Sequence, residues 1–132
     1  MLVRRACARV DRAAAVVEGA HSGISGPELH EVRKAAKRAR YAAEVAVPSV
    51  GAPASGLARR MEDLQEVLGN HQDSLMAREL LSDLAGRLPE RQAYALGQLT
   101  GLEGASDESV LAEYRLALAA TSSEKVRGWT HG

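Results

Sequence analysis

Small apolar residues recur at helical spacing between Val32 and Ala46, and this pattern constrains the fold more than any other feature of the chain. The set is Val32, Ala35, Ala36, Ala39, Ala42, Ala43 and Ala46. At about 100° per residue, these positions share one side of an α-helix. Alanine has the highest helix propensity of all residues and adds little bulk. The pattern therefore predicts a helix that packs closely against its neighbours.

The composition extends this prediction to the rest of the chain. Hydrophobic residues make up 45% of the 132 residues, but Phe is absent and there is a single Trp. Ala, Leu and Val must then fill the core, which favours packed helices over a β-sandwich or barrel. We predict an all-α fold, an antiparallel bundle of four to five helices, in a single domain of residues 1–132. The predicted helices span 2–18, 26–47, 57–88, 90–102 and 107–129, with a loop over 48–56.

Local signals support several of these boundaries. Ser25 and Glu28 fit the S-x-x-E capping box at the start of the second helix, and Pro48 is expected to end it. Gly69 interrupts the apolar stripe of the third helix, which indicates a close helix contact or a slight kink. Lys125 and Arg127 suit the last turn of the fifth helix.

Other sequence features bear on location. The single cysteine, Cys7, cannot form an internal disulfide, and we expect it to be a small buried residue. No run approaches the roughly 18 apolar residues of a membrane span. The first residues lack the pattern of a signal peptide, because charged residues interrupt them early. These features predict a soluble, cytoplasmic protein that does not enter a membrane.

The charge is neutral in total but segregated along the chain. Lys and Arg number 17, as do Asp and Glu. Residues 1–60 hold 11 basic and 5 acidic residues, a balance of +6, and residues 61–132 hold 6 and 12, a balance of −6. A local cationic surface can therefore exist on a neutral protein.

The positive charge is concentrated on the second helix, opposite its alanine-rich side. On a helical wheel, the following residues lie within about 80° of His30: Arg33, Lys34, Lys37, Arg38, Arg40 and Tyr41. Like charges three and four residues apart repel each other, and only Glu31 and Glu44 are near enough in sequence to offset them. The pattern has three interpretations: a solvated or internally paired face, a binding site for a polyanion, or a contact for an acidic protein. On the first helix, Arg5, Arg9 and Arg12 line up elsewhere on the surface.

Two motifs carry a family resemblance. The segment LHEVRKAAKRARYAAE, residues 29–44, resembles the L-H-x-x-R-x-x-x-K-R-x-R-Y signature of the CHAD family, the histidine-bearing α-helical domains. About thirty residues later, LARRMEDLQEVLGNHQDS, residues 57–74, is similar to the second signature of that family. The segments AYALGQLTG and VRGW look like its last two helices. The wording of the motifs matches the C-terminal half of a CHAD domain, which consists of two similar bundles.

The resemblance implies that the chain binds inorganic polyphosphate through basic surface residues and is not an enzyme. It implies no catalytic residue, no metal site and no cofactor, and it implies an association with polyphosphate granules. The matching binding positions are His30, Arg33, Lys37, Arg38, Arg40, Tyr41, Arg59 and Arg60, and Lys34 joins them because it shares the helix face. Gln65 and Asp73 also match the motifs, and we interpret them as structural residues that orient an Arg or the His.

The resemblance covers one of the two bundles of a CHAD domain, so the chain is expected to be either a fragment of a longer domain or a half-domain that pairs. In the second case we expect self-association or pairing with a second CHAD-like bundle, such as the missing N-terminal half. The alternative functions are a structural or protein-interaction bundle and a metal-dependent phosphohydrolase. The sequence disfavours the hydrolase, because His30, His71 and Asp73 do not form a recognisable ligand motif. Nucleic acid is also disfavoured, because the face offers one aromatic residue, Tyr41, and no evident means of reading bases.

Overall fold

The chain folds into a bundle of helices. The structure is a computed structural model that describes residues 2–19, 26–104 and 107–131, with side chains described outside 99–104, 107 and 108. Its elements are α1 (Leu2–Gly19), α2 (Gly26–Val50), α3 (Ala52–Ala85), α4 (Glu90–Gly104), α5 (Asp107–Ser122), α6 (Glu124–Arg127) and a 3₁₀-helix (Gly128–His131). No strand occurs in these ranges, so the all-α prediction is confirmed. None of the described helices combines the length and the hydropathy needed to cross a membrane.

The core lies between α1, α2, the first half of α3 and α5. The alanine-rich side of α2 supplies most of it, and Val32, Ala36, Ala39 and Ala43 are fully buried. Cys7 is buried as expected, and burial raises the pKa of its thiol. The following residues of the other three helices complete the core: Val10, Leu57, Met61, Leu64, Leu68 and Tyr114. Because the alanine-rich side of α2 packs on this core, the opposite side of α2 faces solvent.

The predicted loop over 48–56 is wrong, because Gly51 is the only residue between α2 and α3. Pro48 lies inside the last turns of α2, where the helix continues past the missing N–H, and Pro53 suits the first turn of α3. Gly51 turns the chain with φ 82° and ψ −137°, a conformation that is essentially restricted to glycine. This one-residue turn sets α2 and α3 antiparallel.

The predicted fifth helix, 107–129, is broken at Ser123. Just before the break, the hydroxyl of Thr121 donates to the carbonyl of Leu118 at 2.6 Å, and such bonds compete with the regular helix pattern. Arg127 of α6 then reaches Asp11 of α1 through two hydrogen bonds of 2.8 and 2.9 Å. Arg127 therefore ties the end of the chain to α1 rather than extending the last turn of α5.

Gly51 and Gly56 provide a matched test of the turn between α2 and α3. Gly51→Ala should lower the free energy of unfolding by about 1–3 kcal/mol, because alanine is strained at this positive φ. Gly56→Ala should raise it by about 0.5–1 kcal/mol, because Gly56 lies inside α3 and an added Cβ meets open space there. Urea denaturation of both variants measures the two effects. Equal effects of the two changes would contradict the role assigned to Gly51.

Candidate functional site

The seven residues opposite the alanine-rich side of α2 form one surface, here named the cationic front: His30, Arg33, Lys34, Lys37, Arg38, Arg40 and Tyr41. Five of them are exposed, whereas Arg33 and Arg40 are half-buried. The helix therefore has the two faces predicted from the sequence, although Ala46, at the end of the apolar side, is only half-buried. From His30 to Tyr41, a distance of eleven residue steps, the front extends roughly 16 Å along the helix axis.

Arg33 is the member of the front that the fold holds in place. Its Nη1 donates a hydrogen bond of 3.0 Å to Oε1 of Gln72 on α3. Its guanidinium also lies against Gly69, where an added Cβ would be 3.3 Å from Nη2. The glycine in the apolar stripe of α3 therefore marks a close contact, and the side chain that fills it is Arg33. A neutral glutamine positions this cation without cancelling its charge.

Two glutamates of α2 offset part of the positive charge. Lys34 pairs with Glu31 at 2.8 Å, and Arg40 pairs with Glu44 at 3.5 Å. The hydrogen bond from Lys34 lowers the pKa of Glu31, and the charges of Lys34, His30 and Arg38 lower it further. Ion pairs of this kind are weakened by water and salt and contribute little to stability. A stronger anion could therefore displace either glutamate.

Lys37 lies on the midline of the cationic front, and Arg38 lies next to it on the flank that faces α1. In the described part of the chain, neither makes an ion pair with an acidic side chain. The Nζ of Lys37 lies 5.9 Å from the ring centroid of Tyr41, and the guanidinium carbon of Arg40 lies 4.9 Å from it. A cation within about 6 Å of an aromatic face is attracted to it. Tyr41 thereby holds two cations beside each other despite their repulsion.

Of the two predicted binding residues on α3, Arg59 and Arg60, the second lies on a different surface from the cationic front. Both are exposed on α3, but Arg60 lines a groove of about 540 Å³ with Lys125 of α6. Arg60 also contacts Asp63 at 3.8 Å. Nine residues separate Arg60 from Gly69, about 180° around the helix, so Arg60 points away from the side that meets Arg33. The structure thus places Arg60 on a separate surface.

Gln72, the partner of Arg33, was not among the residues predicted from the sequence. Gln65 and Asp73 were expected to orient an Arg or the His, but Asp73 is exposed and the glutamine that contacts Arg33 is Gln72. A signal was available, because Gln72 follows Gly69 by three residues and so lies on the same side of α3. Gly69 leaves room for the long side chain of Arg33, and the amide of Gln72 binds the end of that side chain.

No metal centre is formed by the described residues. In the ranges 2–19, 26–104 and 107–131, His, Cys, Asp and Glu side chains do not gather in groups of three or more that could hold an ion. His71, one of the three candidates from the sequence, is buried, whereas His30 and Asp73 are exposed. The arginine and lysine side chains of the cationic front offer charge attraction and hydrogen-bond donation.

The comparison with protein families found one match. The model of the CHAD domain matches residues 1–82. These residues include α1, α2 and all but the last three residues of α3, and hence the whole cationic front with Gly69 and Gln72. The match does not extend to AYALGQLTG and VRGW. Neither the curated proteins nor the solved structures gave a match.

Proposed function

This chain belongs to the CHAD family, and we propose that it binds inorganic polyphosphate through the cationic front of α2. The observation that carries the proposal is the pair Lys37 and Arg38, two adjacent exposed cations of the front. They lack acidic partners in the described part of the chain. A face kept only for solubility would mix charges of both signs. A ligand that supplies negative charge at regular intervals removes the repulsion among these residues.

Phosphate suits the donors that the front offers. The guanidinium of Arg38 can bind two phosphate oxygens at once, and Lys34 and Lys37 act as compact charges with three donors each. Arg33, fixed by Gln72, presents its remaining N–H groups without a further loss of side-chain freedom. Polymer binding releases condensed counterions, and this entropy gain favours association.

We propose that the chain holds the polymer without hydrolysing it. The proposal rests on the makeup of the front, where arginine and lysine supply charge and no side chain is paired with a base for nucleophilic attack among the described residues. We further propose a cytoplasmic location in association with polyphosphate granules. The buried free thiol of Cys7 is consistent with a reducing compartment.

A titration against two polymers tests the proposal. Long-chain polyphosphate should bind more tightly than duplex DNA of equal total charge, measured by isothermal calorimetry in one buffer. A flexible single chain can follow the one helix face, whereas the phosphates of a duplex are fixed in space. Equal or tighter binding of DNA would contradict the assignment, and absence of polyphosphate binding would remove it.

We also propose a second bundle as partner. Between His71 and the end of α3 no side chain is buried in the described structure, and Met76, Leu80 and Leu84 are exposed. Met76 and Leu80 lie within about 20° of the direction of Gly69 on the helix, so they continue the side of α3 that meets Arg33. A copy packed on this apolar stripe would lie next to the His30 end of the cationic front.

Self-association is therefore expected, and polyphosphate should strengthen it. Two fronts on one polymer raise the apparent affinity through effective concentration. Sedimentation velocity with and without polyphosphate measures the assembly, and Met76→Ser with Leu80→Ser should weaken it. As a control, Leu116→Ser changes an exposed apolar residue on α5. A protein that stays monomeric while binding the polymer tightly would show that one front is sufficient.

A further inference from the structure

Two arginines of α1, Arg5 and Arg9, lie beside the cationic front rather than on a separate surface. Arg5 and Arg9 line a groove of about 440 Å³ between α1 and α2, and Arg38 and Tyr41 line it from the other side. On the wheel of α2, Arg38 is about 80° from His30 on one flank, whereas Arg33 and Arg40 lie on the opposite flank. Arg33 meets α3, so α1 and α3 border the front on its two sides. We name the surface formed by Arg5, Arg9, Arg38 and Tyr41 the arginine groove.

The acidic residues of α1 are engaged elsewhere. The helix has only two of them, Asp11 and Glu18. Asp11 binds Arg127 of α6, and Glu18 contacts Arg115 of α5 at 3.4 Å. The C-terminal part of the chain therefore takes up both carboxylates of α1. Arg5 and Arg9 make no ion pair within the described part of the chain.

Apolar side chains also line the arginine groove, and they strengthen the electrostatic potential of its arginines. Leu2 and Val45 line it along with the arginines, and arginine stems pack on such apolar surface while their guanidinium groups reach the solvent. A cleft with charge of one sign and walls of low dielectric constant focuses the electric field and concentrates counterions. The groove is therefore a better anion site than three arginines spread over an open surface.

We propose that the arginine groove is a second phosphate-binding subsite, which takes the polymer from α2 across to α1. This inference rests on the proposed function, because it concerns the path of the same polyanion. Arg38 belongs to both surfaces and makes them continuous. The axes of packed helices are about 8–10 Å apart, so a polymer that reaches from α2 to α1 contacts a surface wider by about that distance. The polymer then crosses α2 toward α1 instead of following the α2 axis alone.

Charge removal that keeps the stems tests the subsite. The double variant Arg5→Gln, Arg9→Gln should weaken binding of long-chain polyphosphate about tenfold and reduce the slope of log affinity against log salt by about 1.4, or 0.7 for each lost phosphate contact. The control Arg87→Gln, Arg91→Gln removes two exposed charges near the start of α4 and should change neither quantity. The slope matters because a structural defect would not lower it by a fixed amount per charge.

The outcomes separate this inference from the proposed function. Binding by the wild type with no effect of the Arg5 and Arg9 changes overturns the subsite and leaves the cationic front intact. Unchanged binding with weaker self-association also overturns it and assigns the groove to an acidic protein surface. No binding by the wild type overturns both proposals. Equal loss in the Arg87 and Arg91 control overturns the subsite, because net charge alone would then set the affinity.

Discussion

Removing three cations from the front should weaken polyphosphate binding by about 100-fold or more. The variant is Lys34→Ala, Lys37→Ala, Arg38→Ala, and all three side chains are exposed. A charge-assisted hydrogen bond contributes about 1.5–3 kcal/mol, and each 1.4 kcal/mol is a factor of ten in affinity. Arg33 is left unchanged, because its contacts with Gln72 and Gly69 also support the packing of α2 on α3. Calorimetric titration with long-chain polyphosphate measures the loss.

A charge-matched variant separates the site from net charge. Arg87→Ala, Arg91→Ala, Lys125→Ala also removes three exposed cations, so both proteins carry a net charge of −3 instead of zero. This control should bind nearly as well as the wild type. Circular dichroism should show the same helix content in all three proteins, and the buried thiol of Cys7 should stay unreactive toward thiol reagents in each. Equal weakening by the two triple variants would contradict a localised site.

The salt concentration should have the second large effect on the affinity for polyphosphate. If four to six cations each neutralise a phosphate, log affinity falls with log salt at a slope of about −2.8 to −4.2, by analogy with single-stranded nucleic acid. Affinity should then fall about 50- to 300-fold between 50 and 200 mM salt. The decrease arises because the release of condensed counterions gains less entropy when the salt concentration of the solution is higher. Titrations at four salt concentrations give the slope.

The salt slope also identifies the residues that contribute to it. The triple variant of the front should have a slope smaller in magnitude by about 2, or 0.7 for each lost contact, whereas the charge-matched control should keep the wild-type slope. A flat response in the wild type would exclude counterion release as the source of affinity. The binding would then have to come from specific hydrogen bonds alone.

The sequence predicted the regular part of this molecule well, because helix period and burial follow the same spacing. Val32, Ala36, Ala39 and Ala43 were expected in the core and are fully buried. The offset by Glu31 and Glu44 was also expected, since residues three and four apart meet on a helix, and both ion pairs occur. Local periodicity was sufficient for each of these predictions.

Contacts between helices could not be read in the same way. The break at Ser123 depends partly on the contact of Arg127 with Asp11, which is 116 residues away in the sequence. Local sequence patterns relate only residues a few positions apart. The short turn at Gly51 was predicted as a longer loop because of Pro48 and Pro53, but both prolines are tolerated in the helix ends. The positions of Arg5 and Arg9 beside Arg38 also depend on how α1 packs on α2. The sequence shows which side of a helix a residue occupies, but the neighbour on that side depends on the fold.

Lysine footprinting of the unmodified protein tests the central proposal most directly. The chain has three lysines, of which Lys34 and Lys37 lie on the cationic front and Lys125 lies in the groove beside Arg60. All three are exposed, so acetylation followed by mass spectrometry can compare them in one sample. With saturating polyphosphate, we expect Lys34 and Lys37 to be protected and Lys125 to react as it does in the free protein. Unchanged acetylation of Lys34 and Lys37, or protection of Lys125 alone, would contradict binding at the front of α2.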